Sequence, residues 1–192
     1  MPLVIKGSSS GQVTVDVPAA AGTNTLTFPA ATGNIITNKT AGTIIQIVNF
    51  TTGASATGTT QMVGDDTIPQ NDEGDEYMTL AVTPTNSSNK LIINVRANVI
   101  HTGTAGAHYG ALFQDSTANA LATAWAAKNA TANNPTMLVI DHYMTAGTTS
   151  ETTFKFRSGI SVSGTTTFNG VTGSRFFGGS FASSITITEV AT

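Results

Sequence analysis

The sequence contains no cysteine, so neither disulfides nor thiolate metal sites can staple the fold, and synthesis in a reducing cytoplasm is the expectation. Charge is almost as scarce. Lys, Arg, Asp and Glu make up 10% of the 192 residues, and the formal net charge is −3. The eight Lys and Arg form no cluster, which argues against a nucleic-acid partner, because phosphate recognition needs a basic face. No apolar run approaches the roughly 18 residues a membrane helix requires, so no membrane insertion is expected. The opening "MPLVIKGSSSG" has one Lys after a very short apolar run and does not read as a signal peptide. The usual surface-helix formers Leu, Glu, Lys and Arg are also few.

Thr, Ser, Asn and 19 Gly take their place. Branched Thr suits a pleated surface, whereas Gly and Asn suit turns, so the composition predicts an all-β chain. Hydrophobic residues at 40% supply a core for one β-domain with an extension. With so little charge, the outer surface must be covered by hydroxyls and amides. Such a surface fits a rigid assembly part better than a freely diffusing enzyme.

The first 42 residues carry an internal repeat. "VDVPAAAGT" and "LTFPAATGN" align with a period of eleven, Pro18 on Pro29 and Gly22 on Gly33. Val13, Val15 and Val17 alternate with polar residues, as do Leu26 and Phe28, which gives short strands that cannot bury a core alone. Residues 1–42 are therefore expected to be an extended β arm that trimerises or docks on another protein, with these five side chains as its contacts. Residues 43–192 are expected to form the head domain.

In the head, "EYMTLAVTP" places Met78, Leu80 and Val82 inward, and Pro84 stops the ladder because it has no N–H to donate. "KLIINVRANVI" puts Leu91, Ile93, Val95, Ala97 and Val99 on one face. "TIIQIVNFTT", "HYGALFQD", "TMLVIDHYMT", "TTFKFRSGIS" and "ASSITITEV" read as further strands, the last too apolar to be a frayed tail. Strands at this spacing with Gly- and Asn-rich turns predict a sandwich of jelly-roll type. Residues 118–130, "ANALATAWAAKNA", are the one helix candidate, since Leu121 and Trp125 are four apart. The alternative is a long loop pinned by a buried Trp.

Chemistry-bearing residues are few. Asp65, Asp66, Asp72, Glu73, Asp75 and Glu76 lie within twelve residues and could supply oxygens to a calcium ion, yet their spacing does not match an EF-hand. The plainer expectation is a solvated loop that guards a sheet edge, with no metal. "GSSSG" at residues 7–11 matches G-x-S-x-G around Ser9 but lacks the strand before and helix after, so a flexible hinge is expected. His101, His108 and His142 show no metal-ligand spacing. Arg96, alternating with an apolar face, could anchor a subunit interface. Tyr109, Trp125 and Tyr143, with Phe176 and Phe177, could stack on sugars and are candidate receptor-facing aromatics. No nucleophile comes with a base, so no catalytic residue, enzyme activity or cofactor is expected.

Three segments, "DDTIPQNDEGDEYMTLAVTPTNSSNKLII", "ALFQDSTANALA" and "SGTTTFNGVTGSRFFGGSFASSITITEVA", together resemble a domain of tail-fibre and other virion proteins of tailed bacteriophages, many of them marine. "GSSSGQVTVDVPAAAGTNTLTFPAATGNIIT" is similar to the N-terminal or shaft segments of those proteins. The resemblance implies a homotrimeric jelly-roll β-sandwich, like tumour-necrosis-factor heads, displayed on the virion surface. Its implied partners are its own copies, other phage virion proteins of tail or capsid, and a host surface glycan or protein. The chain is short for a long tail fibre, which leaves a capsid decoration or head-fibre protein as the alternative.

Overall fold

Alternation of apolar and hydroxyl side chains sets almost every element of the chain. The computed structural model describes residues 3–6, 12–15, 41–103, 106–127 and 132–192, in two units, Met1–Ile35 and Ile36–Thr192. In the first unit, β1 (Leu3–Lys6) pairs antiparallel with β2 (Gln12–Val15), Leu3 opposite Val15 and Lys6 opposite Gln12. A strand therefore precedes the Gly-Ser run as well as following it, which corrects the expectation that none does. A strand still stands where a serine-hydrolase elbow needs a helix. The run itself, the Pro-Gly repeat, Val17, Leu26 and Phe28 lie outside the described residues.

The second unit begins with β3 (Ile44–Thr52) and the short β4 (Ala56–Gly58). Then come β5 (Asp75–Val82), β6 (Lys90–His101), β7 (Ala107–Gln114), β8 (Ala122–Ala127), β9 (Thr136–Thr145) and β10 (Thr152–Ile160). Three short strands follow, β11 (Thr166–Phe168), β12 (Gly170–Val171) and β13 (Ser174–Arg175), before β14 (Ser183–Val190). One sheet runs β5-β10-β7-β8; the other runs β3-β14-β6, with β9 on the far edge of β6 and β11 and β4 extending it. Each return strand pairs with an outgoing one: β14 with β3, β10 with β5, β9 with β6 and β8 with β7. That nesting of a long hairpin into two facing sheets is the jelly-roll winding.

The core lies between the sheets. Leu91, Ile93, Val95, Ala97 and Val99 of β6 are fully buried, and they meet Met78, Val82, Phe154 and Phe156 of the opposite sheet. Truncating either Phe would cost about 3–5 kcal/mol by loss of transfer energy and cavity formation. β10 shifts register against β5 between Phe156 and Arg157, passing over Tyr77. This bulge lets adjacent Tyr77 and Met78 both reach the core, where the Tyr77 ring stacks on Phe168 with centroids 5.0 Å apart.

The "ANALATAWAAKNA" stretch is neither the helix nor the Trp-pinned loop its spacing suggested. Residues 122–127 form β8; Ala122, Ala124 and Ala126 turn to the core while Thr123, Trp125 and Ala127 face outward. Trp125 is 67% exposed. Small Ala residues let β8 lie close over the core, and pairing to β7 satisfies its backbone, so period two wins over the four-residue spacing. Lys128, Asn129 and Ala130 lie outside the described residues.

Candidate functional site

The acidic loop lies across the outer face of the β5-β10-β7-β8 sheet, and its residues 69–71 also pair with residues 118–120 just before the edge strand β8. Met62, only 1% exposed, packs on Ala111 and Phe113 of β7 and makes a small second core on that face. The consecutive apolar residues of "GALF" already signal a strand covered on both sides. Backbone bonds sew residues 60–74 down: Met62 N to Ile160 O at 3.3 Å, Gly74 N to Gln61 O at 2.9 Å, and Asn71 N to Ala118 O at 2.8 Å. The Arg157 guanidinium donates to Glu73 O at 3.0 Å and Gly74 O at 2.6 Å. Two carbonyls and one fork-shaped donor suit each other, and the loop behaves as a fixed flap.

Four of the six carboxylates are used, each with its own partners, while Asp66 and Asp72 stand exposed. Asp75 accepts from Thr60 N and Thr60 Oγ1, both at 2.9 Å. Glu73 accepts from Val63 N and Gln70 N, each at 3.2 Å, which closes the flap on itself. Glu76 accepts from Thr79 and lies 3.9 Å from Lys155 Nζ and 3.7 Å from Arg157 Nη1. Among the described residues no three His, Asp or Glu side chains come together as a metal site.

Asp65 is placed differently. Its Oδ1 accepts from Thr67 Oγ1 at 2.5 Å and Thr67 N at 2.8 Å, and these two donors hold the carboxyl below its ordinary value. The Oδ2 atom takes no hydrogen bond from the described residues. Asp65 stands at the rim of a pocket of about 370 Å³ between the flap and the sheet. Val63, Gly64 and Thr67 line the flap side; Tyr109, Thr123 and Trp125 line the sheet side. Tyr109 on β7 and Trp125 on β8 are direct cross-strand partners on the same face, Trp125 exposed and Tyr109 half-buried under the flap. Gly64 lets the flap touch this pair: a methyl group there would fall 2.3 Å from Tyr109 Oη.

The structure thus unites two of the three sequence-selected aromatics and separates the third. Tyr143 projects from the outer face of the other sheet, where Lys90 Nζ sits 5.8 Å from its ring centroid. Phe176 and Phe177 form a separate group with Phe181, their centroids 4.0 and 5.7 Å from that of Phe176. His101 and His108 are fully buried with ring centroids 6.4 Å apart, and His101 Nδ1 accepts from Gly103 N at 2.9 Å. His142 is half-buried on β9, and that burial lowers its affinity for a proton.

A feature missed in the sequence lies at the opposite end of the sandwich. Glu189 is fully buried and receives five donors: Gln46 Nε2, Thr85 N and Oγ1, Asn86 N and Asn89 Nδ2. Burial pushes its carboxyl upward, but the donations from Gln46, Asn89 and Thr85 outweigh it and hold the group below its ordinary value. The signal was present in "ITITEV", where Glu189 falls in phase with inward Ile185 and Ile187. No helix among the described residues is long and apolar enough to cross a membrane.

The chain matches no family model and no curated protein sequence. Among solved structures it is similar to the Eiger tumour necrosis factor of S. frugiperda, with a TM-score of 0.44 and 6% identity over 76% of this chain and 93% of that one. It is also similar to the infectious bursal disease virus Gx strain structure, with a TM-score of 0.40 and 13% identity over 97% of this chain and 40% of that one. The VP2 subviral particle of that virus gives a TM-score of 0.35 and 12% identity over 100% and 43%. The chain spans less than half the length of these virus chains. Likenesses this distant carry no functional information.

Proposed function

We propose that the protein is a structural virion protein of a tailed bacteriophage, tail-fibre-like, whose arm docks on the particle and whose jelly-roll head is displayed as a homotrimer for host attachment. The observation that carries the reading is the outer face of the β3-β14-β6-β9 sheet. Ile47 is 59% exposed there, Met137 59%, Val139 47% and Tyr143 62%. Between them Arg96 is exposed and has no ion-pair partner among the described residues, while Asp141 takes only the Asn94 amide at 2.6 Å. A face with large apolar side chains around one unpaired cation and one carboxylate suits burial against copies of itself. The hydroxyl-rich, weakly charged remainder fits a part held in an assembly.

Attachment by such a part is multivalent. Weak contacts repeated threefold in one head, and again across several heads, raise effective concentration without a strong single site. The role is binding and not catalysis; hydrolysis of a host polysaccharide by the purified chain would overturn that. Sedimentation of the full chain tests the trimer, and a stable monomer counts against the reading. Immuno-gold labelling of particles tests the location: label on tails agrees, label on the capsid shell makes the protein a decoration, and no label removes it from the virion.

A further inference from the structure

We infer that the pocket between the flap and strands β7 and β8 is a saccharide subsite, which takes the terminal pyranose of a neutral glycan with Trp125 beneath the ring, the Tyr109 phenol on the wall and Asp65 at its hydroxyls. This deepens the attachment reading by naming the ligand class, and it draws on that reading only for the biological setting.

Three observations carry it. First, Trp125 is 67% exposed although it is the chain's single Trp, and its neighbour across the strands is Tyr109. The exposed indole offers an open face that accepts the C–H groups of a sugar, and the half-buried Tyr109 beside it brings its phenol to the pocket wall. An organic cation is better served by rings on several sides of a closed box, which this open face does not provide. Secondly, the pocket of about 370 Å³ falls within the range of small-molecule sites, and its walls pair apolar surface with a few polar groups. Thirdly, those groups match an array of hydroxyls. Asp65 Oδ2 is an uncommitted acceptor, Thr67 has spent its hydroxyl proton on Asp65 and can only accept, and Thr123 and the Tyr109 phenol are each able to donate.

The same arrangement selects against acidic sugars. Among the described residues no Lys or Arg lines the pocket, and Asp65 stands at its rim beside Asp66. A uronate or other carboxylated ring would bring like charge to Asp65 without a counter-ion. Neutral hexoses and N-acetylhexosamines remain.

The single Trp makes the test direct, because all indole emission of the full chain comes from the site itself. The protein is titrated with methyl glycosides of neutral hexoses and of N-acetylglucosamine, with methyl glucuronide and tetramethylammonium as the competing classes. A saturable change in emission with a neutral glycoside at roughly millimolar concentration is expected of one small stacked ring. Saturation-transfer NMR then compares variants. Trp125→Ala should abolish transfer, Asp65→Asn should weaken affinity about tenfold, and Tyr143→Ala on the other sheet should bind as the parent does. Absence of any response to neutral glycosides up to about 100 mM overturns the inference, two decades above that expectation. So does a response to tetramethylammonium or glucuronide alone, or transfer that persists in Trp125→Ala. Because every readout uses the isolated chain, sugar binding without particle labelling separates failure of the virion reading from failure of this one.

Discussion

The side-chain amide of Asn89 donates to Glu189 Oε1 at 2.6 Å, which ties the loop before β6 to the last strand across 100 residues of sequence. Gln46 Nε2 donates to the other carboxylate oxygen at 2.6 Å, and Thr85 adds two bonds at 2.9 and 2.8 Å. Both oxygens of a buried acid therefore face donors only. Glu189→Gln places an amide NH₂ against one set of them, and a loss of about 2–3 kcal/mol is expected for an unsatisfied, formerly charge-assisted site. The fall in urea midpoint measures it.

The pH dependence of that difference has a definite sign. The folded carboxyl lies below its ordinary value of 4.5, so the unfolded chain binds the proton first as pH falls. The stabilisation is complete above about pH 4.5 and is lost as pH falls through the folded value. Parent and Glu189→Gln should differ fully at pH 7 and converge in acid, as followed by urea unfolding across that range. A gap that stays constant down to pH 3 would show that the carboxylate is not the source of the stability.

The flap depends on bare backbone beneath it. A methyl group on Gly159 of β10 would fall 2.7 Å from Thr60 O and 2.9 Å from Met62 N, both backbone atoms. Gly159→Ala must lift the flap or bend the strand, at a cost of about 1–3 kcal/mol. The expected outcome is a lower urea midpoint, together with a changed Trp125 emission because the pocket wall moves.

Much of the fold was legible because period-two alternation has one dominant cause, the burial of one strand face. Leu91 to Val99, the inward pair Phe154 and Phe156, and the pairing of β14 inside a sheet all follow from it. Trp125 misled because a large ring is usually buried, whereas here the Ala residues of β8 supply the core contact and leave the ring outside. The acidic loop misled for a related reason: composition says that carboxylates seek water, but Met62 beside them seeks Phe113, and the sheet face under the flap becomes visible only once β7 has a position. Within the site, Tyr109 and Trp125 could be selected one by one. Their union with Asp65 depends on cross-strand register and on Gly64, neither of which local pattern specifies.

Arg157 fixes the flap through two carbonyls, and its geometry rather than its charge is what counts. Lys at this position keeps the charge but cannot direct two forked donors to Glu73 O and Gly74 O together. Arg157→Lys should lower stability by about 1 kcal/mol and speed amide exchange at residues 61–74 more than elsewhere. Uniform acceleration across both sheets would mean that the guanidinium acts on global stability and not on the flap.

The outer face of the β3-β14-β6-β9 sheet gives the test of self-association at the level of one side chain. Arg96 lies between Ser184 of β14 and Val139 of β9, with Asp141 two residues further along β9. In a single chain its guanidinium is solvated and nearly free of cost, so Arg96→Glu should leave the monomer's stability within about 0.5 kcal/mol. In an assembly that buries this face, the same change sets a new carboxylate among apolar Val139, Met137 and Tyr143 beside Asp141. Truncating or reversing a buried interfacial charge costs about 2–5 kcal/mol, enough to raise a dissociation constant roughly 30-fold or more. Sedimentation of Arg96→Glu should therefore show dissociation at concentrations where the parent stays associated, with unchanged circular dichroism. Thr79→Glu on the opposite sheet should have no such effect. If both variants sediment like the parent, this face is not the contact, and the assembly must be held by other surfaces.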